Sequence, residues 1–267
     1  MVISNSSSAG FFAELCNVIR HIKKVKQEKK KIFINWNQNN SLYFEQDYGE
    51  NVWEYFFDKI DPIDEDPIDY KLYGYIDMTP YETMNMRSTF NFIYNNFITL
   101  KDDVKSLIKK ETTDINEKTL GVHIRKTDKF MVDKFNEPMA FPIDDNLVFE
   151  IIDNKISDFE KIFLATDCTE TYNLYKKRYG SILLDNERIR GYGKKSIHTG
   201  NKLNGYKKGL ECLLDSYILS NCGFLIRSTS NLSLFSMFMN LNLQCININE
   251  IFREDFREHE FNIYSKT

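Results

Sequence analysis

Five short apolar runs dominate the second half of the chain: TLGVHIR, KIFLATD, SILLD, GFLIRS and QCINI. A stretch with helical spacing lies between each run and the next: Leu147, Val148, Ile151 and Ile152, then residues 169 to 179, 204 to 220 and 230 to 240. Strands this uniformly apolar are expected where helices cover both faces of a sheet. Strands alternating with helices imply parallel pairing through crossover connections. The pattern therefore predicts an α/β fold with a parallel sheet.

The first half opens less clearly. SNSSSAG reads as a loop of small polar residues, and Phe11, Leu15, Val18, Ile22 and Val25 recur at helical steps after it. The basic run KKVKQEKKK ends that helix, IFINW reads as a buried strand, and Val52, Trp53, Phe56, Phe57 and Ile60 suggest a second helix. DPIDEDPIDY breaks it, and a longer helical pattern runs from about Ser88 to Lys109. KKETTDINEKT is polar and aperiodic and is the candidate linker. These features predict an N-terminal domain over 1–112, a C-terminal domain over 118–250, and a segment 251–267 that packs back on the first.

The 267 residues suffice for two modest domains with real cores, and 21 Phe with 15 Tyr point to a globular chain. A net charge of -4 leaves no global basic field, which argues against nucleic acid as the main partner but not against a local anion pocket. The five cysteines form no CxxC pair, so zinc spacing and a disulfide framework are not expected. No long apolar run predicts a membrane span, and no leader pattern opens the chain. A cytoplasmic location is expected, with peripheral membrane contact and oligomeric state left open.

In open parallel sheets, ligands bind beyond the carboxyl ends of the strands. Those ends carry Arg125, Lys126, Thr127, Asp128 and Lys129; Thr166, Asp167 and Cys168; Asp185 with Arg188 and Arg190; and Arg227, Ser228, Thr229, Ser230 and Asn231. An arginine fork and hydroxyls at a helix start suit a diphosphate. No GxGxxG follows a strand, no GxxxxGK[ST] is present, and no HExxH pair exists among four histidines. Plainer readings stand beside these. The strand-end charges and the basic loop residues are solvated, STSN is an N-cap, His123 is a core histidine, and Asp167 caps the next helix.

GVHIRKTDK resembles the HxRRTDK motif of α-1,6-fucosyltransferases and nodulation fucosyltransferases, within the wider group that includes protein O-fucosyltransferases. IFLATDC is similar to the family's ATDD strand end, and LLDSYILSNCGFLIRSTSNLSLFSMFM to its late helix–strand–helix block. The likeness runs from about residue 118 to 245; before that it is limited to SSAGFFAEL. The resemblance implies a GT-B fold, two Rossmann-like domains facing across a cleft. It also implies transfer of fucose from GDP-fucose to a glycan hydroxyl, with inversion and no obligatory metal or cofactor.

The resemblance further implies that Arg125 binds the donor diphosphate, with His123, Lys126, Lys129, Asp167, Asp215, Ser228, Thr229 and Ser230 around the nucleotide. Lys126 stands where the family has a second arginine; it keeps the charge but loses the planar fork. Cys168 replaces the second aspartate of ATDD, and Asn231 and Leu232 depart from a Ser–Gln pair. Asp133 falls where some members carry the glutamate proposed as base, so it is the first candidate and Asp128 the second. Asp128 has a second reading, as the partner of Arg125 or Lys129. The alternatives are the same fold with another nucleotide sugar, or a nucleotide- or glycan-binding homologue without catalysis.

Overall fold

The computed structural model describes residues 2–4, 9–27, 32–37, 41–60, 69–70, 84–127, 143–193 and 204–251. They form two units. The first comprises Met1–Thr113, Asn201–Ser220 and Leu234–Asn242, and the second Asp114–Gly200, Asn221–Ser233 and Leu243–Thr267.

The first unit contains a parallel sheet of β1 (Val2–Ser4), β2 (Phe33–Asn35) and β3 (Asp69–Tyr70), in the order β2-β1-β3. The central strand β1 precedes the loop with which the sequence reading opens this domain; three residues are too few to show a period. Helix α1 (Phe11–Gln27) follows as expected. The second helix is a single turn, α2 (Trp53–Phe56), and the long pattern from Ser88 divides into α3 (Met84–Phe97) and α4 (Asp102–Thr112). Phe11 is the hub of the aromatic core, with edge-on ring contacts to Trp36, Tyr43 and Phe56 at 5.2–5.7 Å. Trp53, Tyr55, Phe56 and Phe57 are buried and build this core.

Two later segments complete that core. In α7 (Gly205–Asn221), a Cβ on Gly209 would lie 2.6 Å from the Phe56 ring, so only glycine lets the helix approach this closely. From α8 (Asn231–Met239), Phe235 packs on Phe12 and Tyr94, and Phe238 on Phe90. Most of α7 and α8 thus belongs to the first unit, although the sequence reading places 118–250 in one domain. Their apolar faces are answered by aromatics near the start of the chain, a pairing that chain order hides.

The second unit holds the four-stranded parallel sheet, in the order β5-β4-β6-β7. Its strands are β4 (Thr119–Ile124), β5 (Lys161–Thr166), β6 (Phe224–Arg227) and β7 (Cys245–Asn247). Every residue of β4 is buried, as a central strand covered on both faces requires. Helices α5 (Asp145–Asp153) and α6 (Thr169–Tyr179) supply part of the core, where Val148, Phe149, Ile152 and Tyr175 pack on Val122, Ile124 and Leu164. SILLD, expected as a strand, makes only an isolated parallel bridge between Ile162 and Leu183. Among the described residues no helix is long and apolar enough to cross a membrane. The expected C-terminal segment lies, from residue 252 onward, outside the described residues.

Candidate functional site

Parallel pairing brings the carboxyl ends of β4, β5, β6 and β7 to one edge of the second unit. His123 lies beside Ala165 on one side and Arg227 on the other, and Arg227 lies beside Asn247. Arg125, one step past β4, is therefore flanked by the residues that end β5 and β6.

Asp167 organises that edge. One carboxylate oxygen accepts from the Lys126 backbone N–H at 2.9 Å. The other accepts from the Thr127 hydroxyl at 2.5 Å and its N–H at 3.3 Å, and lies 3.2 Å from Arg125 Nε. The Arg125 and Asp167 side chains are only 18% and 10% exposed, so the ion pair is shielded from water. The plainer reading of Asp167 as a helix cap is replaced by a larger task. It fixes the chain and the guanidinium that follow the central strand. Asp128, Lys129 and Asp133 lie outside the described residues.

Ser228 completes the bracket from the other side. Its hydroxyl accepts from the Arg125 N–H at 2.9 Å and donates to the His123 carbonyl at 3.2 Å. Thr229 is held by two asparagines at the end of β7. Its N–H donates to Asn249 Oδ1 at 2.6 Å and its hydroxyl to Asn247 Oδ1 at 3.2 Å. Ser230 Oγ accepts from the Leu232 N–H at 3.3 Å and caps α8. The three hydroxyls expected to face a nucleotide thus also shape the turn. Asn247 and Asn249 were missed, although Asn247 lies near the carboxyl end of the predicted strand QCINI and Asn249 directly follows it, where the strand-end rule would have found them.

His123 is 4% exposed. Burial first, then the positive charges of Arg125 and Arg227, push its pKa down from 6.5 to about 3. A neutral imidazole between two guanidiniums is a core group. Arg227 itself is 1% exposed, so a second buried cation stands one strand over. Lys126 is ion-paired with Asp145, the first residue of α5. Asp215 is half-buried on α7, within the first unit. Asp185 pairs with Lys176 at 2.6 Å on an exposed face. Arg190, expected to be solvated, stacks over the Tyr172 ring at 3.7 Å. No cluster of His, Cys, Asp and Glu able to hold a metal occurs among the described residues.

Neither a family model nor a curated protein matches this sequence. Solved structures do. The fold is that of NodZ alpha-1,6-fucosyltransferase. The NodZ structure co-crystallised with GDP aligns at a TM-score of 0.58 and 16% identity, over 92% of this chain and 93% of that one. NodZ soaked with GDP-fucose aligns at 0.55 and 15% identity, over 90% and 91%. NodZ from Bradyrhizobium gives 0.56 and 15%, over 93% and 94%. This is the α/β class that the strand–helix pattern predicts and the GT-B-like form that the resemblance implies. At such identity the likeness speaks to the fold, and the chemistry rests on the residues at the strand ends.

Proposed function

We propose that the chain is a glycosyltransferase that moves fucose from GDP-fucose to a hydroxyl of a glycan acceptor, with inversion and without a metal. One observation carries this reading. The Arg125 guanidinium is fixed to Asp167 at the carboxyl end of the central strand, in a fold shared with a fucosyltransferase crystallised with GDP. As the acceptor oxygen bonds to the anomeric carbon, the bond from that carbon to the β-phosphate oxygen breaks. The electron pair goes to the diphosphate, whose growing charge the Arg125 fork stabilises. The buried Arg227 charge adds to the same positive field. The acceptor proton passes to a carboxylate, Asp133 as first candidate and Asp128 as second. His123, kept neutral by its burial and then by its cationic neighbours, is the wrong group to collect that proton.

Arg125→Ala tests the reading. Donor hydrolysis and transfer should disappear while the fold persists, and a variant that still binds donor and turns it over would refute the assigned role. A thermal-shift panel of GDP, UDP and dTDP decides the nucleotide. A ligand at about 100 times its Kd adds about 2.7 kcal/mol of stability, so GDP alone should raise Tm. Equal stabilisation by UDP would point to another donor.

A further inference from the structure

Lys126 follows the arginine that the proposed donor would meet, and its charge invites assignment to the same diphosphate. Its surroundings assign it otherwise. The Lys126 ammonium is ion-paired with Asp145, and the two side chains are only 14% and 20% exposed. Asp145 lies beside the fully buried Tyr175 hydroxyl, whose pKa is raised by burial and then by that carboxylate. The other end of Lys126 is fixed as well. Its backbone N–H donates to Asp167, the carboxylate that also pairs with Arg125 Nε.

We propose that Asp145 is a positioning residue for the diphosphate cradle, acting through Lys126, and that Lys126 does not itself touch the donor. This inference rests on the nucleotide-sugar reading above and specifies how that site is built. The pair ties the first turn of α5 to the residue beside Arg125, 19 positions earlier in the chain. Removing Asp145 leaves a mostly buried ammonium without its counter-charge. Lys126 then moves toward water and pulls the peptide that carries Arg125 out of register. Both cations are paired, but Arg125 meets Asp167 through Nε and presents a planar fork with several N–H donors, whereas the Lys126 ammonium is a point charge taken up by Asp145.

GDP titrated calorimetrically into the full chain and its variants tests this. Asp145→Asn and Lys126→Glu should each weaken GDP by about tenfold, the lower end of the scale for partners that orient a binding group without touching the ligand. The exchange Lys126→Glu with Asp145→Lys should recover affinity to within about threefold of wild type, because the clasp is restored with its polarity reversed. The apolar pair Lys126→Met with Asp145→Leu should recover it too, and serves if the exchange does not fold. Asp153→Asn, which breaks the exposed pair with Arg178 in the same unit, should lower Tm without changing GDP affinity. An exchange or apolar pair no tighter than Lys126→Glu would overturn the proposal, since Lys126 would then be a donor contact. So would an Asp145→Asn variant that binds GDP as well as wild type or better. A wild-type chain that binds no GDP removes the donor reading and this inference together, whereas wild-type binding with an unaffected Asp145→Asn variant removes the inference alone.

Discussion

Acidification should destabilise this protein through one buried imidazole well before its carboxylates titrate. His123 is 4% exposed and its folded pKa is about 3, against an ordinary 6.5, because burial and then Arg125 and Arg227 oppose a further cation. Below the ordinary value the unfolded chain takes up a proton that the folded chain refuses, so stability falls as pH falls. The slope is about 1.4 kcal/mol per pH unit between the two values, which amounts to about 2 kcal/mol lost between pH 7 and pH 5. For a chain of this size that is about 4–8 °C in Tm, if unfolding is two-state. The surface carboxylates of Asp153 and Asp185, lowered by Arg178 and Lys176, act below their ordinary 3.8 and so outside this window. The assay is thermal or urea unfolding at pH 7, 6 and 5 for wild type and His123→Leu. The substitution also removes the 3.4 Å contact with Ser228, but that loss is the same at every pH. The difference in stability between the two proteins should therefore shrink by about 2 kcal/mol on going to pH 5. Parallel curves would mean that His123 titrates normally, and the picture of a neutral imidazole between two guanidiniums would be wrong.

Arg87→Ala should cost about 2–4 kcal/mol, because the buried guanidinium donates to Met237 O at 3.1 Å, Asn240 O at 3.0 Å and Leu241 O at 3.1 Å and closes the end of α8. An unchanged urea midpoint would show that water replaces those bonds without loss. Gly223→Ala should be destabilising by a similar amount, about 2–4 kcal/mol, because its Cβ would lie 2.0 Å from the Glu117 carbonyl oxygen. A variant with wild-type Tm would mean that the approach to β6 yields easily.

Much of the second unit was legible in the sequence because its signals are local. The apolar runs at Thr119–Ile124, Lys161–Thr166, Phe224–Arg227 and Cys245–Asn247 became strands, and the helical spacings between them became helices. SILLD failed because an apolar run states only that it is buried; whether it pairs along its length depends on the neighbour it meets. The placing of Arg125 at the carboxyl end of a strand was likewise readable. Its bracing was not. Asp167 is 42 positions later in the chain and Ser228 103, and no periodicity links them.

Sequence alone determined that this chain would build a parallel α/β sheet and where along it the charged turns would fall, since both follow from spacing within a few residues. Tertiary structure decided which turns meet. The order β5-β4-β6-β7 sets His123 beside Arg227, gives Arg125 its carboxylate, and turns a solvent-friendly lysine into the buried partner of Asp145. The physical reason is that a charge takes its role from the dielectric and the counter-charge around it, and strand order supplies both.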